Sequence, residues 1–252
     1  MIQVAGLSKT FWDNHKRPLT VLSDVNFTVE KNEFVCIVGP SGCGKTVLMD
    51  ILAGFSKPSS GRVLIDGKGV DGPSPNYVSI FQDYKLLPWR TVRKNIELGF
   101  EGREIKLPRE EIDRIVSEQI ESVGLSGFEN YRPFEISGGM KQRVAIARAL
   151  AVDPDIIFMD EPFGALDSVT KEAMRLKMQQ LFSGKKDKTV VFVTHDVDEA
   201  VMLGDKIMVM QSSPGRIKTV VNVNLPRPVE KYTKTFDELR DRVLGMIAEG
   251  AG

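Results

Sequence analysis

Gly39-Pro40-Ser41-Gly42-Cys43-Gly44-Lys45-Thr46 constrains the fold of this chain more than any other stretch. It fits G-x-x-x-x-G-K-[S/T], and its flanks supply the context that pattern needs. Phe34-Val35-Cys36-Ile37-Val38 before it is a short apolar run rich in β-branched residues, which reads as a buried strand. Val47-Leu48-Met49-Asp50-Ile51-Leu52-Ala53 after it predicts a helix that Gly54 can end. Strand, glycine loop and helix together make a phosphate-binding loop.

The chemistry follows from the residue types. Gly39, Gly42 and Gly44 let the backbone come close to a ligand. The loop's N–H groups and the helix N-terminus they feed form a site for phosphate oxygens. Lys45 adds a cation, and Thr46 offers a hydroxyl to a magnesium ion. Gly39, Pro40, Ser41, Gly42, Cys43, Gly44, Lys45 and Thr46 are therefore the first candidate binding residues.

Composition narrows the class. Lys plus Arg and Asp plus Glu balance at 34 each, so nothing points to nucleic acid, which favours a basic chain or face. Hydrophobic content of 42% and charged content of 27% suit a soluble globular protein. No apolar run approaches the ~18 residues needed to span a bilayer. The first residues do not read as a signal peptide. Cys36 and Cys43 make neither a disulfide framework nor a metal site; Cys36 reads as a buried hydrophobe, Cys43 as a loop residue open to alkylation.

Along the chain, residues 2–7 and 19–29 read as strands joined by a polar turn through Asp13 and Pro18. Phe11 and Trp12 beside that turn leave two readings open, a face for a nucleotide base or ordinary packing. Residues 62–66 and 78–81 read as strands, and Gln82 stands where the second leaves the sheet. Residues 110–123 form an amphipathic helix with Ile112, Ile115, Val116, Ile120 and Val123 on one face, framed by Pro108 and Gly124. At Ser137-Gly138-Gly139 a good N-cap and two glycines expose the N–H groups of another helix start. Ile156-Ile157-Phe158-Met159 is a buried strand ending in Asp160-Glu161. Asp160 is placed to hold magnesium and Glu161 to deprotonate a water. Asp167-Ser168 caps a helix to about 181. The strand 189–193 delivers His195, a candidate γ-phosphate contact.

Taken in order, residues 39–46, Gln82, Ser137-Gly138-Gly139, Asp160-Glu161, Ala165-Leu166-Asp167 and His195 resemble the nucleotide-binding subunit of an ABC transporter, over essentially the whole chain. The resemblance implies an α/β fold: a P-loop NTPase core of ABC ATPase type, with an antiparallel β subdomain and a helical subdomain inserted at about 83–136. All of it would lie in a single ABC-type ATP-binding domain, 1–252. It implies ATP and Mg²⁺ as cofactors. It assigns Phe11 to adenine stacking, Gln82 to magnesium and the helical segment, and residues 137–139 to the signature. Asp160 becomes the magnesium aspartate, Glu161 the catalytic glutamate, Asp167 a dimer contact and His195 the switch histidine. One departure stands out, since the usual Leu-Ser-Gly-Gly-Gln reads Ile136-Ser137-Gly138-Gly139-Met140 here.

Leu86-Leu87-Pro88-Trp89-Arg90-Thr91-Val92-Arg93-Lys94-Asn95 is similar to the nitrate/sulfonate/taurine import branch. Pro214-Gly215-Arg216-Ile217 and Leu225-Pro226-Arg227-Pro228 support it. The branch implies a homodimer, or a pair with a closely related ATPase subunit, at the cytoplasmic face of the inner membrane. Leu86, Leu87 and Trp89 would be exposed to dock an integral-membrane permease served by a periplasmic solute-binding protein. Two other classes remain: an ABC ATPase of a non-import system (export, lipid or non-transport work) and a plain phosphate-loop kinase. The signature and Asp167 argue against the kinase, and the lack of paired domains or long coiled-coil insertions argues against DNA-repair and ribosome ATPases.

Overall fold

The computed structural model describes residues 1–81, 84–101, 107–164, 166–184 and 188–250. Two sheets organise it. A long hairpin, β1 (Ile2–Trp12) and β2 (Pro18–Val29), is extended by β4 (Ser60–Ile65) and the short β5 (Lys68–Gly69), giving an antiparallel sheet in the order β2-β1-β4-β5. The second sheet holds β3 (Phe34–Val38), β6 (Tyr77–Ile80), β7 (Ile156–Asp160), β8 (Thr189–Val193), β9 (Lys206–Gln211) and β10 (Arg216–Asn222). Its order is β10-β9-β3-β8-β7-β6, parallel throughout except for β10 at one edge.

The central strands β3, β7 and β8 are buried at every position because both faces are covered. Alternation along β3 divides its side chains between two cores. Phe34, Cys36 and Val38 face one, packed with helices; Val35 and Ile37 face the other. The same division holds for Val190 and Phe192 against Val191 and Val193 in β8. The second core is closed by α1 (Lys45–Leu52), through Leu48, Ile51 and Leu52, and by the antiparallel sheet, through Ile2, Leu7 and Val25. Layering of this kind fixes the carboxyl edge of the sheet as the place where loops of different strands converge.

The helical part comprises α2 (Val92–Glu97), α3 (Arg109–Ser122) and α4 (Gly138–Ala151). The amphipathic pattern predicts α3 to within a residue: Val116 and Ile120 are buried, and Ile112 and Ile115 pack half-buried beside them. α5 (Ser168–Gly184), α6 (Val197–Leu203) and α7 (Lys234–Ala248) complete the fold. Among the described residues, no helix is long and apolar enough to cross a membrane.

Asn95, fully buried in α2, shapes the segment ahead of that helix. Its carbonyl accepts from the Leu87 N–H at 2.8 Å, and its amide donates to the carbonyls of Leu87, Arg90 and Thr91 at 3.0–3.2 Å. Each such bond contributes about 1 kcal/mol, and an orphaned buried carbonyl costs more than that. The loop so pinned presents Trp89 at 68% exposure. Leu86 and Leu87 do not share that exposure, contrary to expectation. Both are half-buried, and Leu86 packs on the helical core.

Candidate active site

β3, β8, β7 and β6 are neighbours, and parallel strands ~4.8 Å apart bring the chemistry of their carboxyl ends within reach of one another. β3 runs into the glycine loop, β8 into Thr194-His195, and β7 ends on Asp160 with Glu161 next. Gln82, predicted at the exit of β6, lies outside the described residues, as does Ala165.

The loop is shaped from outside as well as by its own glycines. Gly44 caps α1 at φ 94°, and a Cβ there would lie 2.7 Å from Leu22 of β2. A Cβ on Gly39 would come equally close to the Met210 carbonyl of β9. Lys45 is buried, with its ammonium donating to the carbonyls of Gly39 and Pro40 at 2.9 and 3.1 Å. Phosphate oxygens are stronger acceptors for the same donors. Cys43 corrects an expectation: it is 1% exposed, burial pushes its thiol up, and alkylating reagents meet no open thiolate there.

Asp160 and Glu161, adjacent in sequence, have different surroundings. Asp160 is buried at the end of β7 beside the Thr46 side chain, and its Oδ1 has no partner among the described residues. Burial pushes its carboxyl above the ordinary range; Thr46 opposes the shift, the charges of Glu161 and Asp50 add to it, and Lys45 counters. An orphaned hard oxygen beside a hydroxyl suits a magnesium ion that takes its remaining ligands from phosphates and water. The raised carboxyl has a consequence for stability. The folded state keeps this proton to higher pH than the unfolded chain, so the cost of the site is absent in acid and is reached in full as pH rises through the folded value. Asp160→Asn removes that cost. We expect nucleotide-free Asp160→Asn to melt roughly 2–4 °C above wild type at alkaline pH, with the gap shrinking in acid, by differential scanning fluorimetry.

Glu161 has φ 47°, in the left-handed region that costs a non-glycine residue about 1 kcal/mol or more. Its N–H donates to the Val193 carbonyl at 2.9 Å, which fixes the turn out of the sheet. Its Oε2 lies 3.0 Å from His195 Nδ1. An ionised carboxylate only accepts, so Nδ1 carries the proton in this pair.

Ser137 caps α4 as predicted, its Oγ accepting from the Met140 N–H at 3.2 Å. Ser137 and Gly138 are exposed, and among the described residues a Cβ on Gly138 would meet only Tyr84 Oη within 4 Å. Met140 packs half-buried against the helical core. Asp167 caps α5, accepting from the Thr170 N–H at 3.0 Å. Phe11 is 42% exposed near the hairpin tip, with Lys9 Nζ 5.0 Å from its ring centre. It pairs with Leu19, two residues beyond the pair Lys9 and Leu22, and Leu22 touches the loop at Gly44. The structure also reveals Arg148, which sequence reasoning passes over. From α4 it donates to the carbonyls of Lys85 and Tyr84 at 2.8 and 3.0 Å, tying the segment that follows residue 83 to that helix. Its only signal in the sequence is a single cation in the alanine-rich second half of that helix.

A glycine loop, a buried aspartate beside the loop threonine, and a glutamate–histidine pair at neighbouring strand ends define a phosphate-loop nucleoside triphosphatase. The ABC transporter family profile matches residues 22–164. The aliphatic sulfonates import ATP-binding protein of Bacillus cereus is 42% identical over 99% of this chain and 96% of its own. The nitrate import ATP-binding protein of Synechococcus elongatus is 41% identical over 96% of this chain and 89% of its own. A solved dimeric structure of a bacterial ABC transporter cassette superposes with a TM-score of 0.81 at 33% identity, over 89% of this chain and 99% of that one. The chain belongs to the ABC transporter family, as an ATP-binding ATPase subunit, and nitrate and sulfonate import subunits are among its relatives.

Proposed function

We propose that the chain powers uptake of a small anion, such as nitrate, taurine or another sulfonate, by closing on ATP as a dimer at the cytoplasmic face of a membrane permease. The observation that carries the mechanism is that Ser137 and Gly138 are exposed, with no atom of the glycine loop within 4 Å of where a Gly138 Cβ would lie. The glycine loop lies at the end of β3, whereas Ser137 and Gly138 open to solvent on α4. Two copies facing each other would bring the loop of one against Ser137, Gly138 and Gly139 of the other, with Asp167 at the seam. ATP then favours the closed state because only there do both copies touch it.

Within that site, Phe11 stacks on the adenine, and residues 39–46 with Lys45 hold the phosphates. Thr46, Asp160 and Gln82 would hold Mg²⁺, which when bound offsets charge on the phosphates. Glu161 orients the attacking water and takes its proton, and Lys45 and His195 stabilise charge on the transferring phosphoryl group. Glu161 offers two oxygens, so Oε2 can keep His195 Nδ1 while Oε1 accepts from the water. Gln82 and the helical segment at about 83–136, inserted in one ATP-binding domain, pass the change to the permease.

The sulfonate and nitrate import relatives support uptake, and exposed Trp89 supports docking at the segment 86–89. Trp89→Ala should leave ATP binding intact and weaken co-purification with a co-expressed partner permease about tenfold or more, as expected for an aromatic anchor. Proteoliposomes holding both proteins and the solute-binding protein, tested with labelled nitrate, taurine and an alkanesulfonate, assign the solute. ATP-dependent export of a solute by the same vesicles would overturn the import reading.

A further inference from the structure

A buried charge cluster lies behind His195 and takes no part in the chemistry at the phosphates. Lys171 and Arg175 lie one turn apart on the same face of α5. Lys171 Nζ is 3.1 Å from Asp196 Oδ2 and 3.0 Å from Glu199 Oε1. Arg175 Nη2 bonds Asp196 Oδ2 and lies 3.0 Å from Glu199 Oε1. Arg175, Glu199 and Thr194 are 7%, 2% and 2% exposed.

The two acceptors belong to the turn that carries the histidine. Asp196 Oδ1 caps α6, accepting from the N–H groups of Asp198 and Glu199 at 2.9 and 3.3 Å. Thr194 Oγ1 donates to Glu199 Oε2 at 2.5 Å and accepts from the Asp196 N–H at 3.0 Å. Both neighbours of His195 are thus locked, while its own side chain is 58% exposed. Its direction is therefore set largely by the backbone on either side. Burial works against the Asp196 carboxylate, and Arg175 and Lys171 outweigh it, holding the carboxyl below its ordinary range. Removing one member of such a buried set leaves a partner charge exposed to that cost.

We infer that Arg175 and Lys171 are positioning residues that hold the 194–196 turn, aim His195 at Glu161, and couple His195 to the helix that begins beside Asp167. α5 starts at Ser168, next to the residue placed at the dimer seam. A shift of α5 on closure would move both cations and with them the Asp196 and Glu199 carboxylates. The ATP site would then sense the partner copy through α5 as well as through the phosphates. This rests on the reading of His195 as a γ-phosphate contact.

The test compares steady-state ATP hydrolysis by full-length wild type, Arg175→Met, Arg175→Lys, Lys171→Gln and His195→Ala, with ATP-analogue binding and melting curves for each. Arg175→Met should lower kcat on the order of tenfold or more, with KM and analogue Kd within about twofold, because a misaimed group costs turnover more than binding. Arg175→Lys should recover most of the loss, since a single nitrogen reaches both carboxylates. Lys171→Gln should show a smaller loss of the same kind. Wild-type kcat in Arg175→Met, alongside an inactive His195→Ala, would overturn the inference and leave the site reading intact. Full turnover by His195→Ala would overturn both. Where Arg175→Met does not fold, Lys171→Gln decides, and wild-type kcat in that variant sinks the inference.

Discussion

Glu161→Gln will bind ATP and hydrolyse it at least ~10²-fold more slowly than wild type, the usual cost of losing a general base. The amide keeps the size of the side chain and its left-handed backbone but cannot take a proton from water. Lys45 and the loop are untouched, so nucleotide affinity holds. Removal of the Glu161 charge also relieves one of the groups that push the Asp160 carboxyl up. Binding without turnover should then arrest the chain in its closed form. Single-turnover hydrolysis of labelled ATP reads the loss directly, and a Glu161→Gln protein with wild-type turnover would remove Glu161 from its proposed role.

Ser137→Arg will separate the two halves of the site. Ser137 is exposed, so an arginine there fits the monomer. It would meet the partner's ATP as a bulky group where a small N-cap and bare N–H donors are required. The cost inside the monomer is that of a lost cap, about 1 kcal/mol. Monomer affinity for an ATP analogue should stay within about twofold, while hydrolysis falls ~10²-fold or more, as when transition-state donors are removed. Equal loss of binding and turnover would place Ser137 at the site of its own chain instead.

Much of this arrangement is legible in the sequence because it is locally written. The apolar runs 34–38, 156–159 and 189–193 are strands, and each runs directly into a functional loop. Helix α3 announces itself by period and punctuation. Where pattern and structure part, the deciding partner is distant in sequence. The pattern ends β1 near residue 7, yet the strand continues to Trp12, because β2 supplies its partners as far as Pro18. Leu86 has the character of an interface residue and is packed on the helical core. Cys43 sits in a glycine loop and is nonetheless covered; the Gly215 backbone approaches so closely that a Cβ there would sit 2.1 Å from the Cys43 carbonyl. The Arg175 cluster joins residues 21 and 24 positions apart, a pairing no local pattern reveals.

The claim that ATP is enclosed by two copies is tested most directly by the solution mass of Glu161→Gln, with and without saturating ATP, alone and combined with Ser137→Arg. Analytical ultracentrifugation should find monomers without nucleotide, dimers of Glu161→Gln with ATP, and monomers of the Glu161→Gln/Ser137→Arg double variant at the same ATP concentration. Glu161→Gln that stays monomeric while saturated with ATP, or a double variant that dimerises as readily, would contradict the account.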